Sequence, residues 1–265
     1  MTTTILSDVA DGVMTITLNR PDAANALRPA DRDALIALLA TADTDERARV
    51  VVLRANGKHF CSGADVNTLQ DRRQTVQKRV LDPMRRIMSG AQKLIASILD
   101  CNKPVIAVVQ GAAAGLGAHI AYASDLVIAA ENAYFTESFV KRGLTVDGGG
   151  CYLLPRRIGM QKAKEMAFFG EKLGAAEALA LGLVNRVVPA EELDAAVADF
   201  AGRLATAPTS AIALTKRLLN DSPDCDRSAA FTAEAMAQEI QSYSHDSQEG
   251  VQAFVEKRPT RYTGW

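Results

Sequence analysis

Short apolar runs alternate with stretches of helical periodicity along this chain, and glycine or proline marks many of the junctions. Ile5 to Ser7 and Val13 to Leu18 flank Asp11-Gly12, a pattern that predicts a β-hairpin. Asn19-Arg20-Pro21 ends that pattern, and Pro29 suits the first turn of a helix over Ala30 to Ala42. Val50 to Leu53 reads as a buried strand leading through Arg54-Ala55-Asn56-Gly57 into a loop, Lys58 to Asp65. A long polar helix is expected from Gln74 to Asp100, with Pro83 as a break or kink.

The most structured signal follows. Val105 to Val109 is a β-branched run bounded by Pro104 and Gly111, as a buried strand should be. Small residues with glycines at 111, 115 and 117 lead into a helical segment, Leu116 to Ala123. At a strand–turn–helix junction of this kind, free backbone N–H groups and the positive end of the helix dipole can hold an anion. Close packing of a small-residue helix on a sheet explains the same glycines without a ligand. The spacing GxxxGxG is a poor match to the dinucleotide fingerprint GxGxxG. Gln110, His119 and the glycines also argue against a membrane span.

Further on, Leu126 to Ala129 and Ala133 to Thr136 read as strands, and Glu137 to Val146 as loop. Asp147-Gly148-Gly149-Gly150 is a second glycine turn, feeding a short helix towards Leu154. Helices are predicted around Gln161 to Phe169, Ala175 to Leu181 and Glu191 to Ala205, with a strand at Arg186 to Val188. Pro208 to Asn220, Arg227 to Tyr243 and Ser247 to Lys257 complete a helical end. Strand–crossover–strand order implies parallel pairing and an α/β core, over roughly 1–200. Residues 201–265 form a helical appendage whose partner is expected to be a neighbouring subunit.

Composition narrows the function. With 30 basic and 31 acidic side chains the net charge is −1, so no general attraction to nucleic acid or an acidic membrane is implied. The N-terminus lacks the basic start and apolar core of a secretory signal. Cys61, Cys101, Cys151 and Cys225 show no metal-ligand spacing and read as reduced thiols, each a small buried hydrophobe, in a cytoplasmic protein without a structural zinc.

Candidate chemistry sits in two segments. Phe60-Cys61-Ser62-Gly63-Ala64-Asp65 follows one strand and Gly111 to Gly117 follows the next parallel one. Neighbouring parallel strands end at the same sheet edge, where open α/β sheets bind ligands. The N–H groups of Ala64 and Leu116 can then aim at one oxygen and stabilise an enolate or oxyanion. Asp147 is either a proton-transferring base, walled by Phe139, Leu144 and Val146, or a cap on the helix after Gly148. His59 and His245 read as solvated surface, and His119 as a satisfied helix histidine. Glu137 is a spare carboxylate whose direction the sequence leaves open.

These segments, together with Asn25-Ala26-Leu27, Ser124-Asp125-Leu126 and the ending Gly250 to Arg258, resemble the crotonase family, the enoyl-CoA hydratase/isomerase superfamily. The resemblance covers almost the whole chain. It implies a spiral of ββα turns, with a helical C-terminal region that builds trimers or dimers of trimers. It also implies an acyl-CoA thioester substrate, so coenzyme A arrives as part of the substrate and no separate cofactor is needed. Ala64 and Leu116 fall at the two oxyanion-hole positions, with leucine in place of the usual glycine. The two glutamates of the hydratases fall at His119 and Phe139, and both are absent. A third acidic position, used by isomerases, falls at Asp147. The surroundings, with Leu153-Leu154-Pro155-Arg156 and Tyr262-Thr263-Gly264, look most like the ring-epoxide CoA isomerase branch of phenylacetate breakdown, although Val146 replaces a usual proline. The resemblance places Ala24, Ala26, Ala64, Asp65 and Val66 along coenzyme A, counts His119 and Phe139 among the substrate-binding residues, and puts Lys257 at the coenzyme A phosphate from a neighbouring subunit. Isomerisation by a lone carboxylate is therefore expected. A hydratase using His119 or Glu137, and a non-catalytic acyl-CoA binder, are the alternatives.

Overall fold

The computed structural model describes residues 3–65 and 81–265. β1 (Ile5–Ala10) and β2 (Val13–Leu18) form the hairpin expected at Asp11-Gly12. They extend a six-stranded sheet of order β1-β2-β3-β4-β6-β9, with β3 at Val50–Ala55, β4 at Val105–Val109, β6 at Leu126–Ala130 and β9 at Arg186–Val188. From β2 onward every pairing in this sheet is parallel, as the strand–crossover pattern predicts. A second sheet, β5-β7-β8, is built from β5 (Ala112–Ala114), β7 (Tyr134–Thr136) and β8 (Lys172–Gly174). β5 and β8 were not foreseen. Three alanines carry little strand propensity, and β5 exists because β7 and Cys61 pair with it on either side.

One face of the main sheet buries Ile16, Leu53, Ala107 and Val109 beneath α1 (Pro29–Thr44), α3 (Lys93–Leu99) and α4 (Leu116–Ala123). The other buries Val52, Ile106, Val108 and Ile128 against α8 (Leu193–Ala205). The remaining helices are α2 (Asp82–Ile87), α5 (Gly150–Ile158), α6 (Met160–Phe169) and α7 (Ala175–Ala180), followed by the terminal helices described below. All eight residues of α4 are buried, so this helix has no solvent face. α2 begins at Asp82, and Pro83 sits in its first turn, where a missing N–H costs nothing. The irregularity lies further on, in a π-helical turn at Met88–Gln92. The part of the expected helix before residue 81 falls outside the described residues.

α1 is anchored at its start by Asp31, which is 2% exposed. Its carboxylate accepts from the Arg28 backbone N–H and side chain and, at 2.6 Å, from the Thr4 hydroxyl. Burial alone would raise its pKa, but these hydrogen bonds outweigh burial and bring it down from 3.8 to about 2. A depressed carboxylate contributes stability that is present above its ordinary pKa and lost as pH falls through the folded value. Asp31→Asn is therefore expected to lower the urea midpoint near neutral pH. The gap to the parent should close as pH falls from about 4 to about 2, which denaturation at stepped pH measures.

At the C-terminal end, α9 (Thr209–Asp221) is tied to the core by Lys216. Its ammonium pairs with Asp125 at 2.8 Å and donates to the Ile98 carbonyl at 3.0 Å. Asn220 donates to the Leu99 carbonyl. α10 (Arg227–Ser242) buries none of its own residues and exposes Phe231, Met236 and Ile240, while α11 (His245–Glu256) exposes Val251, Phe254 and Val255. Among the described residues no helix is long and apolar enough to cross a membrane.

Candidate active site

The loop after β3 is held in place by the segment around residues 20–27. Asn25, buried in a left-handed conformation, donates to the carbonyls of Asn56 and His59 and accepts from the Arg20 N–H. The Arg20 guanidinium donates to the Ala26 carbonyl at 2.6 Å and pairs with Asp65 at 3.0 Å. Ser62 N–H donates to the Ala24 carbonyl, Leu27 N–H to Gly63 and Asp65 N–H to Leu27. Ala24, Ala26 and Asp65 are thus brought beside Ala64, and their hydrogen bonds shape the loop. Val66 lies outside the described residues.

On its other side the loop pairs with β5: Cys61 N–H donates to Ala112, and Ala114 N–H to Cys61. α4 follows so closely that a Cβ on Gly117 would lie 2.3 Å from the Cys61 carbonyl oxygen. Gly63 adopts φ +99°, and a Cβ there would lie 2.8 Å from the Ala114 oxygen and 3.6 Å from the Leu116 nitrogen. Both sites require glycine. Gly63, the neighbour of Ala64, is thereby packed against the backbone that carries Leu116. Leu116 is the first residue of α4, so its N–H has no intrahelical acceptor. Ala64 N–H lies between two groups that bond Leu27 and so points to the opposite side of the extended backbone. Close packing of the loop on α4 accounts for both glycines.

Ala64 and Leu116 both line a cavity of about 770 Å³. Met84, Ile87 and Met88 form one apolar wall, and Phe139, Leu144 and Val146 the other. Asp147 lines it too, and among the described residues it is the cavity's one carboxylate. Arg32, Arg86 and Arg142 are the charged groups of opposite sign. Sequence reasoning missed these arginines; nothing in the helical pattern around them marks a cavity face. Burial pushes the Asp147 carboxyl above the usual carboxylate value, His119 and Arg32 pull it back, and Glu137 pushes it further up. The capping reading of Asp147 does not hold: the residue before α5 is Gly149, and no side chain caps that helix end. Only the Asp147 backbone carbonyl takes part, accepting from Gly150 N–H at 3.1 Å.

His119 does not line the cavity. Its ring is 0% exposed and its Nε2 lies 3.0 and 3.2 Å from the two carboxylate oxygens of Glu137, also 0% exposed. Phe139 stacks flat on the ring, 5.7 Å between centroids, and separates it from the cavity. The direction of Glu137 is thereby fixed, inward and away from the space a substrate would fill. His59 is not free surface either: its Nδ1 accepts from Ala112 N–H at 3.1 Å, helping to hold β5. His245 is exposed, as expected. Cys61 and Cys101 are buried, and burial pushes the Cys61 thiol up to about 12, which removes it as a nucleophile. Cys151 and Cys225 are exposed instead. Lys257 ends α11 in a left-handed conformation on the surface and does not line this cavity.

A sequence model of the family described as enoyl-CoA hydratase/isomerase matches residues 8–264. The chain is 39% identical over 264 residues to the "Probable enoyl-CoA hydratase" of Rhodobacter capsulatus, covering 98% of each protein. It is 36% identical over 260 residues to the 1,2-epoxyphenylacetyl-CoA isomerase of Escherichia coli, again covering 98% of each. The crystal structure of an enoyl-CoA hydratase from Polaromonas sp. JS666 superposes with a TM-score of 0.91 at 33% identity, over 97% of this chain and 99% of that one. With its mixed sheets and its two loops meeting at one sheet edge, the chain has the crotonase fold and belongs to the enoyl-CoA hydratase/isomerase family.

Proposed function

We propose that this chain is an acyl-CoA isomerase that stabilises a thioester enolate and moves a proton with a single carboxylate, Asp147. The observation that carries the reading is that one cavity holds both the Ala64–Leu116 amide pair and one carboxylate. Adding water across a conjugated double bond requires a positioned nucleophile as well as a proton, a task suited to two carboxylates. Moving a proton between carbons requires one base that takes it and gives it back. The thioester oxygen accepts from Ala64 and Leu116 as charge develops on it. Asp147 removes a proton from carbon, the enolate forms, and the proton returns to a different carbon so that the double bond shifts. An aryl epoxide carried on an acetyl thioester, whose CH2 next to the carbonyl can lose a proton, is the second substrate type in this reading, in line with the name of the E. coli relative.

Coenzyme A would run past Ala24, Ala26, Asp65 and Val66, with Lys257 reaching its phosphate from a neighbouring subunit of a trimer or dimer of trimers. The exposed apolar residues of α10 and α11 support that assembly. The name of the R. capsulatus relative keeps hydration as the rival reaction. Incubation with 3-enoyl, 2-enoyl and aryl-epoxide CoA esters, followed by chromatography and mass spectrometry, separates the cases. An isomerase converts a 3-enoyl or aryl-epoxide ester to a new peak of unchanged mass. A product heavier by one water makes the protein a hydratase, and bound ester with no product makes it a binding protein.

A further inference from the structure

We propose that Arg86 and Arg142, one on each wall of the cavity, select an acyl group that ends in a carboxylate, so that the substrate is the mono-thioester of a dicarboxylic acid. The inference rests on reading the cavity as the acyl-CoA site, and of the two substrate types above it singles out the enoyl one. Among the described residues, Arg32, Arg86 and Arg142 line this space against a single carboxylate, Asp147. Proton transfer by one base makes no use of Arg86 or Arg142, since a guanidinium does not give up its charge. Neither has an acidic side chain of its own to meet. Arg86 forms no ion pair among the described residues; its Nε donates to the Asp82 carbonyl at 3.2 Å. Arg142 forms none either, and one of its nitrogens donates to the Ser138 carbonyl at 3.1 Å and to the Ser138 hydroxyl at 2.9 Å. Each guanidinium is thus held by its own turn of chain and keeps further donors for a ligand.

Different elements place the two side chains. Arg86 belongs to α2, whose Met84 and Ile87 also line the cavity. Arg142 ends a 3-10 turn, Val140–Arg142, on the other wall. Arg142 N–H and Leu144 N–H both donate to the Phe139 carbonyl, at 2.9 and 3.1 Å, which closes that turn. Phe139 is itself fixed: its ring stacks on His119, and a Cβ on Gly115 would lie 3.3 Å from it. Gly115 adjoins Leu116, so the proposed oxyanion donor, Phe139 and Arg142 follow one another along one wall. Three residues of 3-10 helix rise about 6 Å, the step from Phe139 to Arg142. Methylene groups of the acyl chain then have Phe139, Leu144 and Val146 on one side and Met84 and Ile87 on the other. The chain's end meets the cations. Two like charges in one largely apolar space repel, and a carboxylate relieves both while matching the planar donor fork of arginine. The phosphates of coenzyme A are the other anions at hand, but the pantetheine arm separates them from the thioester.

The test measures binding by calorimetry: succinyl-, adipyl- and suberyl-CoA against butyryl-, hexanoyl- and octanoyl-CoA of equal chain length. None of these esters has a double bond to shift, so the result does not depend on whether Asp147 is the base. In the parent protein at least one dicarboxylic ester should bind about tenfold tighter than its methyl-ended twin, the gain expected of charge-assisted hydrogen bonds. Combining Arg86→Gln with Arg142→Gln should remove that preference. The same pairs offered as pantetheine thioesters, which carry no phosphate, should show the same preference in the parent and the same loss in the variant. Equal or tighter binding of the methyl-ended ester at every length overturns the proposal, and so does an unchanged preference in the variant. A variant that weakens all the CoA esters alike and spares the pantetheine thioesters assigns the arginines to the phosphates of coenzyme A, which also overturns it. Failure of the parent to bind any ester overturns the acyl-CoA reading of the cavity, and the proposal with it.

Discussion

Asp147→Asn should lose at least about a thousandfold in kcat while binding acyl-CoA nearly as well as the parent. Asparagine keeps the shape and the backbone carbonyl that receives Gly150 N–H, but it cannot take a proton. No helix cap is lost, because the Asp147 side chain caps nothing. Stability should move the other way. A carboxyl whose folded pKa is raised contributes stability that is fully present at low pH and lost as pH rises through the folded value. At neutral pH the ionised Asp147 is therefore a burden on the fold, and the variant should melt no lower than the parent. A stability gain beside a lost rate is the signature of a group kept for chemistry. Calorimetric titration with an unreactive acyl-CoA, thermal melts and turnover read all three quantities. Turnover like that of the parent would remove Asp147 from the mechanism.

Leu116→Pro isolates the second part of the machinery. Leu116 is the first residue of α4, a position where proline's fixed φ fits and where the N–H has no helical partner to lose. The substitution deletes one donor of the proposed oxyanion pair and leaves the helix its hydrogen bonds. Loss of a donor of this kind costs about 100- to 1000-fold in kcat. Leu116 is also 3% exposed, so its side chain contributes packing that proline does not replace. Leu116→Ala controls for that. It keeps the N–H, should cost about 2–3 kcal/mol of stability, and should slow turnover by less than about tenfold. Equal rates in the two variants would mean that the amide at 116 does not hold the reacting oxygen.

The main sheet was legible because its strands are written as β-branched runs between glycines and prolines, Val105 to Val109 above all. The meeting of the Cys61–Asp65 loop with the Gly111–Gly117 segment was legible because adjacent parallel strands deliver their loops to one edge, a rule of topology that needs no side-chain detail. What escaped depends on contacts distant in sequence. Ala112–Ala114 has no strand signature of its own; β7 and Cys61 impose one. His119 reads as a helix residue and Glu137 as part of a loop, and only the return of the chain through β7 puts them 3.0 Å apart. Arg32 follows the buried Asp31 on α1, and the packing of that helix against the turn at Met88–Gln92 brings it to the cavity. Asp147 was a toss-up between base and cap on sequence alone, and the cap geometry removed one of the two.

The burial of α4 on every side has a consequence for how the site responds to its medium. Dissolved ions weaken the field of a surface helix within about 10 Å, since counter-ions gather at its ends. Ions cannot approach α4 along its sides, and its first turn faces a cavity walled largely by methionine, phenylalanine and aliphatic groups. Counter-ions therefore reach the start of α4 only by way of that cavity. The same burial leaves the helix without neutral positions. With no solvent-facing residue in Leu116–Ala123, there is no site at which a polar or larger side chain can be accepted without repacking the core that aims the amide.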